Sequence, residues 1–222
     1  MIRMKRLTLL LAATLGLTAC GSLNEENPYR DVFVALRNTV SSGQADAAES
    51  GNRVEITRAM VDQLPGDVLV VEAYEGLNRI LMVPAVVNLN RVTWISEDNV
   101  SVVTENGLIV ATRGLPQDLM AADVIESRRA ILNGGGQVVR TRETLSSLDQ
   151  ITTELLQCSI ASDGAETITI VQQAVATERF TERCDGEMTN FTNTYWVNAG
   201  GVIVQSDQNV SPEVGALRLQ RP

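Results

Sequence analysis

Residues 100–112 have the sequence VSVVTENGLIVAT, which carries the clearest structural signal in the chain. Residues 100–104 and 108–112 are short runs rich in Val, Ile and Thr, the residue types that strands favour. Between them stands Glu105-Asn106-Gly107, and an Asn-Gly pair supplies the positive φ angles that a tight primed turn requires. The segment therefore predicts an antiparallel β-hairpin.

The same pattern of short Val, Ile and Thr-rich runs continues on both sides of this hairpin. Strands are predicted at residues 67–74, 79–88, 91–96, 137–144, 151–160, 167–176, 177–184, 188–197 and 201–205. Turns are predicted at residues 133–136, 163–164, 185–186 and 198–201, where Gly, Asn and Asp cluster. Regular spacing of this kind predicts a mainly β protein, either an antiparallel sandwich or a barrel-like sheet.

A few short helices are expected beside the strands. Pro28 can open a helix that places Tyr29, Phe33, Leu36 and Val40 on one face, and residues 41–52 then form a flexible connection. A further turn or two of helix is predicted at residues 57–64, ending at Pro65-Gly66. One or two more are predicted within residues 115–132.

The N-terminus has the pattern of a secretory signal. Arg3, Lys5 and Arg6 precede an apolar run at residues 7–17, which is about half the roughly 20 residues that a membrane-spanning helix needs. Leu17-Thr18-Ala19-Cys20 resembles the lipobox of bacterial lipoproteins, in which the cysteine receives a diacylglycerol. A secreted protein with a chance cysteine is the alternative.

The lipobox divides the chain into a signal peptide at residues 1–19, a lipidated Cys20 with its tether at 20–27, and one β-rich domain at 28–222. Acyl chains on Cys20 would hold the protein on the lipid bilayer. Gly21 follows the cysteine where enteric inner-membrane lipoproteins have Asp. This favours a cell-envelope location on the outer membrane, facing the periplasm.

The charge balance excludes nucleic acid as a partner. Three of the 18 basic residues and none of the 27 acidic residues lie in the signal, which leaves 15 against 27 and a net charge of −12 for the mature chain. A surface this acidic repels nucleic acid and anionic lipid headgroups. The lipid anchor, and not charge, must hold the protein on a membrane.

The other two cysteines, Cys158 and Cys184, are expected to form a disulfide, because the compartment permits it. The competing interpretation is a metal site. The chain has no histidine and no CxxC spacing, so neither a metal nor another cofactor is predicted.

The residue types present argue against catalysis. Without histidine, and with both remaining cysteines oxidised, the commonest general base and the thiol nucleophile are missing. The only lysine lies in the signal, so the mature chain cannot supply a Ser-Lys dyad. A carboxylate pair for glycoside cleavage stays open as an alternative, with these candidates: Glu72, Glu75, Glu97, Asp98, Asp118 and Asp123.

Two segments, together with the lipobox, resemble a known family. The first contains Thr93-Trp94-Ile95-Ser96, then Asn106 to Leu115, then Asp118-Leu119; the second contains Tyr195-Trp196-Val197, Gly200 to Ile203, Ser206-Asp207-Gln208 and Ser211-Pro212. They resemble the YjbF/GfcB family of exopolysaccharide and group 4 capsule lipoproteins. The resemblance implies a predominantly antiparallel β domain and a place in making or exporting surface polysaccharide. It supplies no catalytic residues.

The leading hypothesis is a non-enzymatic accessory lipoprotein of exopolysaccharide or capsule secretion or assembly, whose partners are outer-membrane polysaccharide-export proteins, glycan or both. The alternatives are a periplasmic carbohydrate-active enzyme that uses a carboxylate pair, and a structural envelope lipoprotein unrelated to polysaccharide. Arg113 and Asp118, beside a predicted turn, are candidates for a binding surface. They could instead pair with each other and pin that turn. Trp94 and Trp196 are expected in the core rather than on a sugar-binding surface.

Overall fold

The structure is a computed structural model that describes residues 56–73, 78–145, 148 and 150–222. The predicted signal peptide, lipobox, tether, first helix and flexible connection all lie outside the described residues, as does the predicted domain start at residue 28. In the part of the chain that the structure describes, no helix is long and apolar enough to span a membrane.

Two short helices and twelve strands make up the described chain. Helix α1 is Arg58–Asp62 and helix α2 is Ile125–Leu132. The strands are β1 Leu69–Ala73, β2 Asn78–Asn88, β3 Arg91–Ile95, β4 Ser101–Glu105, β5 Leu108–Arg113, β6 Leu119–Ala122, β7 Gly135–Leu145, β8 Ile151–Ile170, β9 Gln173–Gly186, β10 Asn190–Val197, β11 Ile203–Ser211 and β12 Gly215–Gln220.

The strands form one antiparallel sheet in the order β5-β4-β3-β2-β1-β12-β11-β10-β9-β8-β7-β6. The two end strands, β5 and β6, lie beside each other, so the sheet curls into a nearly closed barrel. The prediction of a mainly β fold with a few short helices is confirmed, and of the two architectures it left open the barrel-like sheet is present.

The predicted Asn-Gly hairpin is confirmed. Asn106 and Gly107 have φ angles of 50° and 89°, and Glu105 pairs with Leu108 across the turn. A Cβ on Gly107 would lie 2.9 Å from Cβ of Ile203, so the position also needs the absence of a side chain.

Alternating side chains fill the barrel. In β7 and β8 the inward positions are occupied by Val138, Arg140 and Arg142 and by Glu154, Leu156, Cys158 and Ile160. One apolar cluster includes Ala130 and Ile131 of α2, and another includes Trp94. In β7 and β8 the period of two therefore separates interior from exterior, as a closed sheet requires.

A third apolar cluster lies where α1 and the tip of the β8–β9 hairpin pack on the sheet. It includes Val70, Val204 and Ile170. Thr57 precedes α1, and its side chain accepts a hydrogen bond from the amide of Met60 at 3.4 Å. The predicted helical segment at 57–64 is thus confirmed in a shorter form.

The prediction of one or two short helices within residues 115–132 is confirmed by a single helix, Ile125–Leu132. Leu119–Ala122 is strand β6, which pairs with β7. The Asp118 carboxylate accepts hydrogen bonds from the backbone of the turn that precedes β6.

Two local predictions were wrong, and one strand was missed. The turn predicted at residues 163–164 is a register shift inside the 20-residue strand β8, and the chain reverses at Val171 and Gln172, whose φ angles are 42° and 64°. Gly135 and Gly136, placed in a turn, begin β7. Strand β12 was not predicted at all, although it joins the two halves of the sheet.

Candidate functional site

The interior of the barrel holds a buried carboxylate, Glu182 of β9, with no solvent exposure. Its Oε2 accepts hydrogen bonds from Nη1 of Arg140 at 2.7 Å, from Nδ2 of Asn193 at 2.7 Å and from the Tyr195 hydroxyl at 2.6 Å. Its Oε1 accepts one from the Ser127 hydroxyl of α2 at 2.7 Å. Glu182 therefore ties one helix and three strands together.

A second buried ion pair, Arg142 with Glu154, lies in the same interior. The Glu154 carboxylate accepts from the Thr189 hydroxyl at 2.6 Å and from the amides of Met188 and Thr189 at 2.8 Å each. Nη1 of Arg142 donates to Oδ1 of Asn209 at 2.9 Å, and its guanidinium lies 4.6 Å from the centroid of the Phe191 ring.

The two ion pairs belong to one hydrogen-bonded chain. Asn209, whose side chain accepts from Arg142, donates its backbone amide to Oδ1 of Asn193 at 2.8 Å. The side-chain amide of Asn193 in turn donates to Glu182. Five adjacent strands, β7 to β11, contribute to this network. Buried charges are stable only when paired and hydrogen-bonded, and here the fold itself supplies the partners.

The protonation states follow from these contacts. Burial raises the pKa of the Tyr195 phenol well above its usual value, and the charge of Glu182 adds to this, so Tyr195 remains a donor. Burial opposes the charge of Arg140, but the attraction of Glu182 outweighs it and raises the pKa of Arg140. Burial likewise opposes the charge of Glu154, but hydrogen bonds from Thr189 and Met188, together with Arg142, lower its pKa.

Cys158 and Cys184 form a disulfide next to this network. They face each other across β8 and β9 and are buried among apolar residues. A carboxylate oxygen of Glu182 and the two sulfurs lie within 4.8 Å of one another. The oxidised sulfurs do not offer thiolate ligands, so the contact is one of packing.

Sequence reasoning missed the network, although the strands carried a signal for it. Arg140 and Arg142 follow the buried Val138 at every second position of β7, so their side chains face the same side of the sheet. In β9, Glu182 lies at the alternate position between the inward-facing Phe180 and Cys184. A charged side chain at an inward-facing position of an alternating strand requires a partner of opposite charge or a hydrogen-bonding group in the interior. The identity of the partners depends on strand order, which the sequence does not give.

Arg113 and Asp118 lie at the seam where β5 meets β6. The Asp118 carboxylate accepts from the Thr112 hydroxyl at 2.8 Å and from the amides of Gly114 at 2.9 Å and Leu115 at 3.2 Å. Nη1 of Arg113 donates to the carbonyls of Thr112 and Leu119. Among the ion pairs of the described residues, none joins these two side chains to each other. Their role in binding stays a prediction.

We expect Asp118→Ala to lower the free energy of unfolding by about 2 to 3 kcal/mol, because it leaves the fully buried Thr112 hydroxyl and two amides without their acceptor. Arg113→Ala should cost about 1 kcal/mol, because its guanidinium is more exposed. Urea melts of both variants, with the exposed Asp98→Ala as the control, measure this. Reduced polysaccharide export from Arg113→Ala with unchanged melting would favour a binding surface instead.

An open cleft of about 220 Å³ lies at one end of the barrel, where the β2–β3 and β4–β5 turns meet the C-terminus. The two turns contact each other, since the Asn106 amide donates to the Asn90 carbonyl at 2.8 Å. The cleft is lined by apolar side chains, amides and hydroxyls, with Arg221 as the one charged residue among its described lining residues: Leu69, Leu89, Asn90, Val92, Trp94, Thr104, Asn106, Gly107, Ile203, Val204, Gln205, Ser206, Leu219 and Arg221.

Both tryptophans are buried, which confirms their prediction as core residues. The indole N–H of Trp94 donates to the Thr104 hydroxyl, and that of Trp196 donates to Oε2 of Glu166, each at 2.9 Å. Of the carboxylates proposed as a catalytic pair, Glu72 pairs with Arg79 at 3.4 Å and Asp123 accepts from the Ile125 amide at 3.1 Å. Glu75 lies outside the described residues.

The two sequence segments that carried the family resemblance meet across the barrel interior. Nε2 of Gln208 donates to the Gly107 carbonyl at 2.9 Å, and its Oε1 accepts from the Ile109 amide at 2.8 Å. The Ser211 hydroxyl donates to the Gln117 carbonyl at 2.9 Å. Gln208 of β11 thus takes the place of a neighbouring strand for the backbone of β5, one of the two end strands.

The nearly closed antiparallel sheet, with its buried ion pairs inside, places this chain in the class of barrel-shaped β proteins. Within it, the chain belongs to the family described as group 4 capsule polysaccharide lipoprotein GfcB, YjbF, whose sequence model matches residues 30–221. The resemblance predicted from the sequence is confirmed.

A solved structure shows the same fold. The crystal structure of the hypothetical lipoprotein YmcC from Escherichia coli K12 superposes with a TM-score of 0.66 at 22% sequence identity, over 75% of this chain and 88% of that chain. No curated protein matches the chain at a significant level.

Proposed function

We propose that this protein is a lipid-anchored accessory factor in the export or assembly of exopolysaccharide or capsule. The observation that carries the proposal is the family match over residues 30–221, since that family is described by its capsule polysaccharide context. The protein acts by binding outer-membrane export proteins, glycan or both, through a single β-rich domain that begins near residue 28.

The anchor assigns the location. Residues 1–19 direct export and are removed, and Cys20 carries acyl chains worth about 0.8 kcal/mol for each buried CH₂. Gly21 after the cysteine favours the outer membrane, with the domain facing the periplasm. Because the mature chain is acidic, lipid supplies the membrane affinity and the surface remains free for partners.

The carboxylates of the interior network are poorly placed to act on a substrate. Glu182 and Glu154 are the buried carboxylates of the network, and each accepts several hydrogen bonds from the protein itself. A general acid or nucleophile must reach the substrate, whereas these groups face the packed interior. Their chemistry supports the fold and does not supply a reaction.

Cys20→Ser tests the anchor and the role together. In the native host the variant should lose incorporation of labelled palmitate, leave the membrane fraction, and reduce surface polysaccharide to the level of a deletion strain. Ser22→Ala, two residues beyond, is the control and should behave as wild type. Continued palmitate labelling of Cys20→Ser would refute lipidation at this residue, and normal polysaccharide in the deletion strain would refute the accessory role.

A further inference from the structure

The charge of the cleft differs from that of the rest of the protein. The chain carries 27 acidic and 18 basic residues, yet the described residues that line the cleft include one arginine and no carboxylate. Arg221 is paired with Asp67, which lies outside the lining, so the cleft carries no excess of positive charge. It does lack the carboxylates that make the rest of the surface repel an anionic ligand.

Arg221 is positioned to meet such a ligand. Its amide donates to the Val204 carbonyl at 2.9 Å, which fixes the backbone beside β11. Its guanidinium lies 3.6 Å from Oδ2 of Asp67, whose side chain is 75% exposed. That separation is longer than a charge-assisted hydrogen bond of about 2.7 to 2.9 Å, so the guanidinium can exchange Asp67 for a ligand carboxylate at little cost.

The wall of the cleft has an exposed apolar side chain. Leu89 is 93% exposed, and its φ of 54° belongs to the two-residue turn between Asn88 and Arg91 that joins β2 to β3. Asn90 and Asn106 also line the cleft, and the side-chain amide of Asn90 donates to Oε1 of Glu105 at 3.3 Å.

We propose that this cleft binds a carboxylate-bearing sugar residue, such as a uronic acid, in a polysaccharide chain. Arg221 binds the carboxylate, the asparagine amides bind ring hydroxyls, and Leu89 packs on the C–H face of the ring. A volume of about 220 Å³ is below the roughly 300 to 1,000 Å³ of drug-sized pockets, so the cleft holds about one sugar unit of a chain that crosses it. The assignment rests on the proposed function and names the ligand class.

The test is calorimetric titration of the full chain, purified in detergent, with trigalacturonate as the acidic probe and maltotriose as the neutral one. Trigalacturonate should bind at least about ten-fold more tightly, with an affinity that falls as salt rises. Arg221→Gln should weaken its binding by about ten- to a hundred-fold. Arg129→Gln removes an exposed arginine from α2 and should change nothing.

Leu89 offers a second comparison in which folding is not at risk. Asn and Asp both tolerate the left-handed backbone, so Leu89→Asn and Leu89→Asp should fold equally well and differ only in charge. The aspartate variant should bind trigalacturonate several-fold more weakly than the asparagine variant. Equal affinities for the two probes, no measurable binding of trigalacturonate, or an unchanged Arg221→Gln would each overturn the assignment.

The binding experiment and the deletion strain test the ligand assignment and the proposed function separately. If trigalacturonate does not bind while the deletion strain loses surface polysaccharide, the ligand assignment fails and the accessory role stands. If trigalacturonate binds through Arg221 while the deletion strain exports normally, the accessory role fails and the cleft assignment stands.

Discussion

Replacing Glu182 with glutamine should lower the free energy of unfolding by about 3 to 5 kcal/mol, because it removes one partner of a buried ion pair. Arg140 is also buried, and Glu182 is its counter-ion at 2.7 Å. Glutamine keeps the size of the side chain but not its charge, so the guanidinium would remain inside the barrel without compensation. Urea denaturation followed by circular dichroism measures the loss.

Two variants separate the ion pair from a general effect of charge removal. Asp185→Asn removes an exposed carboxylate from the same strand and should alter stability by less than about 0.5 kcal/mol. Arg140→Met combined with Glu182→Gln should recover part of the loss, since no buried charge then lacks a partner. If Glu182→Gln proves as stable as Asp185→Asn, the interior network does not hold the barrel together.

The sequence predicted those parts of the fold that depend on local chemistry. The β4–β5 hairpin followed from Asn106-Gly107, because the turn and the residues that permit it are adjacent in the chain. The reversal at Val171 and Gln172 was missed because neither residue is a usual turn former. There the sheet and the apolar cluster around Ile170 impose the turn on residues that do not favour it locally.

Sites formed by distant segments could not be predicted in the same way. The cleft combines Leu89, Asn106 and Arg221, which belong to two separate turns and the C-terminus. Their proximity depends on β12 pairing with β1, and β12 was not among the predicted strands. Arg113 and Asp118 are close in sequence and could be selected together, but the register of β5 and β6 determines which groups they bind.

The disulfide should contribute about 3 to 4 kcal/mol to stability, so replacing both Cys158 and Cys184 with alanine should lower the free energy of unfolding by that amount. The bond closes a loop spanning 26 residues, and in the chain-entropy model it stabilises the fold by restricting the unfolded chain. The two residues already face each other across β8 and β9, so the native strands need no rearrangement when the bond is absent. The double alanine variant should therefore keep the fold and unfold at lower urea, and wild-type protein unfolded and refolded under reducing conditions should show the same loss. Alkylation of freshly purified protein under denaturing conditions should label neither cysteine. Two free thiols in that protein, or equal urea midpoints for wild type and the double variant, would show that the bond does not stabilise the barrel.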